Sequence, residues 1–261
     1  MKELAGKRVV VTGASSGIGA ELARALAKRK AVLLLAARRA DRLHRVVDDC
    51  LSRGARAAGM VVDLATEDGC RSLIERATTQ MGGIDVLLLN AGISHRKPLV
   101  DETDAGAFER VMRTNWLGPV HCAWRALPQL VKAKGAIVVV SSVQGKAGFP
   151  GFAAYSASKH ALHGFFDSLR IELRGSGVGV TIVCPGAVAT DIADGRPPER
   201  NQRITSAAAC ADEILDALMK GERERVLSWK GKVAVGLRPL APGLLDRAIA
   251  RRARRFFPGS S

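Results

Sequence analysis

Short unbroken apolar runs alternate along the chain with longer amphipathic stretches. The runs expected to form strands are Arg8 to Val11, Ala31 to Ala36, Ala57 to Val62, Val86 to Leu89, Ile137 to Val140, Val178 to Cys184 and Arg225 to Leu227. Most place Val, Ile and Leu at consecutive positions rather than alternating in and out, as strands covered on both faces do. Between them, helical patterns run over Gly17 to Lys28, Ala40 to Arg53, Thr66 to Gln80, Asp104 to Val131, Ala153 to Arg174 and Ser206 to Met219. This alternation predicts an α/β fold: a doubly wound central parallel sheet of about seven strands, helices on both faces, and right-handed crossovers. In such a sheet ligands bind beyond the carboxyl ends of the strands, where the strand order reverses. The chemistry is therefore expected in the segments that follow the strands.

With 261 residues, 47% of them hydrophobic, the chain can bury one large core. No internal repeat, low-complexity tract or Gly/Ser linker marks a boundary, so residues 1–261 are expected to form a single domain. Five cysteines (Cys50, Cys70, Cys122, Cys184 and Cys210) are scattered, odd in number and without CxxC spacing. That argues against a disulfide framework or a zinc site, and for a reducing compartment. The first strand begins by Lys7, leaving no room ahead of it for a signal peptide. No run approaches the roughly 20 apolar residues that span a bilayer. A cytoplasmic protein is expected.

The net charge of +15 is unevenly placed. From Lys220 onward there are eleven Lys and Arg against three acids (Glu222, Glu224 and Asp246), so this end carries +8. A basic tail suits nucleic acid, an anionic membrane or solubility. Aromatics make up 4% of the chain and do not interleave with the basic residues, so nucleic acid is not an expected partner. Within the tail, 243–261, a helix after Pro242 would gather Leu244, Leu245, Ala248 and Ile249 on one face, with Arg247, Arg251, Arg254 and Arg255 on others. A helix lying on a membrane surface and a helix packed on its own subunit or a partner both fit that pattern.

The first strand runs into Thr12-Gly13-Ala14-Ser15-Ser16-Gly17-Ile18-Gly19. Glycines permit a tight turn and close backbone approach to a pyrophosphate, and the start of the next helix offers unpaired N–H groups. A plain glycine-rich turn is the bland alternative. After the second strand come Arg38 and Arg39, with no acid at its end. An acid there would bind a ribose 2′-hydroxyl, whereas a guanidinium suits a 2′-phosphate. The expected cofactor is NADP(H), with Arg38 the first contact and Arg39 the second; a solvated loop pair is the alternative.

Tyr155 and Lys159 lie four apart where a helix opens, on one face, a spacing that by itself equally describes an ordinary helix-surface pair. Tyr155 is the only tyrosine in the chain, and Ser142, just after the fifth strand, precedes it by thirteen residues. Reduction of a carbonyl creates an alkoxide that must be protonated, and the reverse reaction needs a base. A phenol of pKa about 10 is a poor base at neutral pH, and a nearby cation lowers that value. Tyr155 is thus the expected acid/base and Lys159 its electrostatic partner, with Ser142 hydrogen-bonding the substrate oxygen.

The TGxxxGIG turn and the Ser142, Tyr155 and Lys159 spacing resemble the short-chain dehydrogenase/reductase family. That resemblance implies a Rossmann-type domain, and a cofactor held by Gly13, Ser15, Ser16, Gly17, Ile18 and Gly19. It implies that Asp63, with Leu64, meets the adenine ring, and that Asn90, Ala91 and Gly92 steady the sheet beside the adenine ribose. Lys159 would also hold the nicotinamide ribose. Asn115 would position a water in a proton relay; stabilising a helix kink is the alternative. Pro185-Gly186-Ala187-Val188-Ala189-Thr190 resembles the family's PGxxxT stretch, in which Pro185, Gly186, Val188 and Thr190 would orient the carboxamide.

The likeness runs from Lys7 to Thr190. Ser141 to Lys146 and Ser158 to Arg170 look like the branch holding the member 7 dehydrogenase/reductases and the carbon-11 hydroxysteroid dehydrogenases. That branch implies a lipophilic alcohol or carbonyl substrate, by analogy alone. Lys30 departs from the pattern, since relatives place glycine there, and a differently shaped turn is expected. Residues 191–205 form a polar loop expected to choose the substrate and close over the site. The family also implies a homodimer or homotetramer joined through Asp104 to Val131 and Ala153 to Arg174. Competing readings are an NAD-dependent dehydrogenase, a dehydratase or epimerase, and an NADP-sensing regulator without turnover.

Overall fold

The structure, a computed structural model, describes residues 3–189 and 205–253. Seven strands form one sheet: β1 (Arg8–Thr12), β2 (Val32–Ala37), β3 (Arg56–Val61), β4 (Val86–Leu89), β5 (Ala136–Val140), β6 (Gly179–Cys184) and β7 (Glu224–Val226). Their order is β3-β2-β1-β4-β5-β6-β7, and every pairing is parallel. The order reverses between β1 and β4, where Val9 aligns with Val86 and Val11 with Leu88.

The two faces of the sheet are covered by different helices because successive strand residues point to opposite sides. Val9 and Val11 face α1 (Gly17–Lys28), α2 (Ala40–Ser52) and α7 (Ala207–Lys220). Val10 faces α3 (Glu67–Met81), α5 (Gly118–Ala133) and α6 (Ala153–Glu172). Both faces are buried, which is why β4 and β5 are apolar at every position. At the amino ends of the strands, Arg8 clamps β1 to the turn before β4: Nε and Nη2 donate to the two carboxylate oxygens of Asp85 at 2.8 and 2.9 Å.

Helix boundaries follow local chemistry. Thr66, Ser206 and Ser228 cap α3, α7 and α8 (Trp229–Leu237) by accepting from Gly69, Ala209 and Gly231 N–H groups at 3.1 Å. Gly82 and Gly221 end α3 and α7 in the left-handed region. Helix α8 has no counterpart in the apolar periodicity: its apolar residues Trp229, Val233 and Leu237 are exposed, so no inward stripe exists to read.

Four expectations are corrected. The single helix over Asp104 to Val131 is α4 (Gly106–Met112), a π-helical turn (Arg113–Leu117) and then α5, which runs on to Ala133 with Pro128 inside it. The turn at Lys30 is not reshaped: Lys30 itself takes the left-handed conformation at φ +59°. There the backbone bonds Lys30 N to Ala27 O and Ala31 N to Leu26 O close the end of α1. In α9 (Pro242–Ala253) the apolar residues are not one evenly exposed or evenly packed face: Leu245 is buried and Leu244 is exposed. The fourth correction concerns the Tyr155 phenol, described below. Thr190, residues 191–204 of the loop and residues 254–261 of the tail lie outside the described residues. Thr205 pairs back to the post-β6 segment, its N–H donating to Ala187 O at 3.2 Å. Among the described residues no helix is long and apolar enough to cross a membrane.

Candidate active site

The glycine turn lies at the point where the strand order reverses. Thr12 Oγ1 accepts from the N–H groups of Asn90 and Ala91 at 2.9 and 3.1 Å and donates to Leu88 O at 3.2 Å. One hydroxyl thus joins the ends of β1 and β4. Asn90 Nδ2 adds a bond to Thr12 O at 3.0 Å. Gly13 has φ +67°, and a Cβ there would come within 2.8 Å of Ala91 Cα. At Gly19 a Cβ would lie 2.2 Å from Gly13 O. Close packing of turn on helix therefore excludes any side chain at either position. Ser16, in an extended conformation, gives α1 no side-chain cap, and no acid sits in its first turn. Its leading N–H groups and the positive end of its dipole form a site suited to an anion.

Arg39 leans over this turn, with Nη2 donating to Ser16 Oγ at 2.5 Å and lying 3.4 Å from Ser15 Oγ. Arg38 beside it is exposed. After β3, Asp63 is exposed and accepts from Ala65 N at 3.0 Å, while Leu64 is buried with its carbonyl against Gly118. The glycine cradle, uncapped N–H groups and two guanidinium groups fit a dinucleotide whose phosphates lie on the turn.

The catalytic candidates converge beyond β4 and β5. Ser142 leaves β5 extended, its Oγ accepting from Gln144 N at 3.2 Å in a 3₁₀ turn (Val143–Gly145). Pro185 O holds this turn by accepting from Val143 N at 2.9 Å, which brings the post-β6 segment alongside. In that segment a Cβ at Gly186 would lie 2.9 Å from Ser228 Oγ, and Val188 pairs with Thr205. The first turns of α6 carry Tyr155 and Lys159. Lys159 is 4% exposed; its Nζ donates to Val140 O at 2.9 Å and stands 5.7 Å from the centre of the Tyr155 ring. Gly92 faces the same space: a Cβ there would be 3.3 Å from Asn115 Oδ1 and 3.6 Å from Lys159 Nζ.

Asn115, wholly buried, lies in the π-helical turn. Its Oδ1 accepts from Ile93 N at 2.8 Å, and its Nδ2 donates to Ile93 O at 2.9 Å and Ser158 Oγ at 3.0 Å. The amide therefore braces the chain after Gly92 against α6 across an irregular helix, as the kink reading requires.

Burial raises the Tyr155 phenol above its ordinary range, with a hydrogen bond to Ser142 acting in the opposite sense. The expected lowering by Lys159 is not what the structure gives: desolvation of the phenolate dominates and Ser142 supplies the opposing effect. Burial also lowers the Lys159 ammonium to about 8, against a smaller opposing effect of Cys184.

Thr12 as a bridge between β1 and β4, Ser158 and the Val140 carbonyl are parts of the site to which the sequence patterns assign no role. A threonine ending β1 is the one sequence signal for the first; the others depend on tertiary placement. The five cysteines are free and buried, and among the described residues no group of three or more His, Cys, Asp and Glu could hold a metal.

Residues 7–201 match the family model described as short chain dehydrogenase. The chain is 37% identical over 267 residues to dehydrogenase/reductase SDR family member 7B of Bos taurus, covering 95% of this chain and 81% of that protein. It is 37% identical to 11-beta-hydroxysteroid dehydrogenase-like 4A of Arabidopsis thaliana, covering 86% and 79%. Among solved structures, a short-chain dehydrogenase/reductase from Burkholderia phymatum in complex with NAD superposes with a TM-score of 0.86 at 26% identity, covering 94% of this chain and 96% of that one. An alcohol dehydrogenase from Thermococcus sibiricus complexed with 5-hydroxy-NADP gives 0.77 at 26% identity, covering 85% and 94%. A glycine turn at the strand-order reversal, a serine, tyrosine and lysine converging beside it, and a match over most of the length lead to one assignment: the chain belongs to the short-chain dehydrogenase/reductase family of oxidoreductases.

Proposed function

We propose that this protein is an NADP(H)-dependent oxidoreductase that interconverts an alcohol and a ketone or aldehyde on a lipophilic substrate. The observation that carries the reading is the convergence of Ser142, Tyr155 and Lys159 beside Gly92, on the same sheet edge as the glycine turn. A bound nicotinamide cofactor would supply or accept the hydride. Tyr155, its phenol raised by burial, keeps its proton at neutral pH and can deliver it to the substrate oxygen as charge builds there. Ser142, close to that phenol, would align the same oxygen. Lys159 is held by Val140 O through one of its three N–H donors, leaving two for ribose hydroxyls. Asn115 braces the segment behind Gly92; the relay water assigned to it by resemblance is part of the same proposal.

The choice of NADP(H) rests on Arg39 at the Ser15 and Ser16 hydroxyls, Arg38 beside it, and no acid at the end of β2. A lipophilic substrate is supported by the relatives' names and by Phe149 and Phe152, packed edge to face at 6.0 Å, with Phe152 three residues ahead of Tyr155. Copies of the chain would associate through α5 and α6, where Trp124 and Ile171 are 58% and 61% exposed. Free buried thiols support a reducing, cytoplasmic location. On α8 and α9, exposed Trp229, Val233, Leu237 and Leu244 sit among Lys232, Arg247 and Arg251, which suits an anionic membrane surface. Flotation with and without anionic lipid tests that part; absence of lipid-dependent binding removes it. The function itself is tested by a panel of lipophilic ketones and aldehydes, following NADPH absorbance, with substrate-dependent oxidation expected and none on any member contradicting it.

A further inference from the structure

Beneath Ser142 lies a second polar cluster that the reaction as described leaves unused. His163, one turn beyond Lys159 on α6, is 7% exposed. Its Nε2 lies 3.0 Å from Ser141 Oγ and 3.7 Å from Cys184 Sγ. Its Nδ1 is buried, makes no hydrogen bond and faces Glu224 Oε2 on β7 at 3.6 Å. Glu224 also pairs with Lys146 Nζ at 2.6 Å, and its carboxyl is held at about 2 by His163 and Lys146, which outweigh its burial. Ser141 Oγ is in turn 3.4 Å from the backbone oxygen of Lys159. The turn after Ser142 presses on this pair: a Cβ at Gly145 would lie 2.6 Å from Ser141 Oγ and 3.0 Å from His163 Cδ2.

We propose that His163 is a positioning residue that acts through Ser141 to fix the Ser142 turn against α6. A carboxylate facing Nδ1 favours the tautomer protonated there, which leaves Nε2 as the acceptor for the Ser141 hydroxyl. That bond spends the single Ser141 hydroxyl proton on Nε2 rather than on the Lys159 carbonyl, and it ties the residue before Ser142 to α6, the helix that carries Tyr155 and Lys159. His163 itself touches no reacting atom.

The inference rests on the reductase reading for its kinetic test, and a spectroscopic one is independent of turnover. The kinetic test compares His163→Leu, His163→Gln, Ser141→Ala and the Ser141→Ala/His163→Leu double variant, with the wild type shown to be active and Tyr155→Phe inactive. His163→Leu and Ser141→Ala are each expected to lower kcat about tenfold with KM for NADPH unchanged, the double variant no further, and His163→Gln, which keeps a polar group near Nε2, to regain most of the loss. Wild-type kcat in His163→Leu, additive losses in the double variant, or equal losses in the Leu and Gln variants overturns the role. Should the wild type reduce no carbonyl, the reductase reading fails, and the ¹⁵N shifts of His163 still decide the placement. An Nδ1-protonated ring whose Nε2 shift moves in Ser141→Ala is expected, and an Nε2-protonated or unresponsive ring overturns it.

Discussion

Lys159 Nζ donates to the Val140 carbonyl at 2.9 Å, and no carboxylate among the described residues pairs with it. Burial holds this ammonium at about 8, against 10.5 for the free side chain. Between those two values the unfolded chain binds more protons than the native state, so stability rises with pH across that window. Below pH 8 the native state carries the whole penalty of a charged, buried amine. Lys159→Met is therefore expected to be more stable than the wild type at pH 7, on the order of 2 kcal/mol, with the gap narrowing from pH 8 towards pH 10. Denaturant unfolding at pH 7 and pH 9.5 checks this; a pH-independent difference contradicts it.

Arg39 and Arg38 separate by their contacts: Arg39 bonds the phosphate-turn serines, and Arg38 is exposed beside it. Arg39→Asp is expected to weaken NADPH by about tenfold to a hundredfold while NADH changes little or gains. Arg38→Asp should act in the same direction. Titration of both nucleotides against the three proteins measures it, and equal wild-type affinity for the two nucleotides defeats the NADP assignment.

Lys30 occupies the left-handed region at φ +59°, and its Nζ reaches Arg53 O at 2.9 Å across an exposed gap. An L-residue other than glycine is disfavoured there, and an exposed hydrogen bond compensates little. Lys30→Gly should stabilise the fold by about 1 kcal/mol, raising Tm by roughly 2–4 °C. A lower Tm would show that the Arg53 contact outweighs the backbone strain.

The motif residues were legible because each answers a local steric or chemical demand. Gly13 and Gly19 are needed where backbone meets backbone, and the Tyr155/Lys159 pair needs only helical spacing. The strands were legible because β4 and β5 are covered on both faces, which leaves no polar interruption in the sequence. What the sequence hid depends on distance in space. The π-helical turn at Asn115 forms because the amide finds Ile93, 22 residues away, and helical periodicity cannot show that. The raised Tyr155 phenol reflects desolvation of its hydroxyl in the folded chain, whereas the Lys159 spacing alone predicts the opposite direction. At Lys30 the departure from glycine predicts a change of shape, yet the two backbone bonds closing α1 hold lysine in the left-handed conformation.

Asp85 ties β4 to β1 through Arg8, whose hydrogen bonds hold its carboxyl below the ordinary carboxylate range against the effect of burial. A carboxyl lowered in the native state contributes stability above its unfolded pKa and loses it as pH falls towards the folded value. Asp85→Asn is expected to destabilise the protein by about 1–2 kcal/mol at pH 7, with the difference closing below about pH 4. Urea midpoints across that range test it, and a gap that does not shrink as pH falls below about 4 contradicts it.

The most direct measurement is NADPH consumption by Tyr155→Phe beside NADPH binding by the same protein. Loss of turnover by at least about a hundredfold, with nucleotide affinity within a few-fold of the wild type, is the result predicted for a buried phenol that supplies the proton. Turnover within tenfold of the wild type would contradict it, because the hydroxyl beside Ser142 and Lys159 would then have no part in the proton transfer.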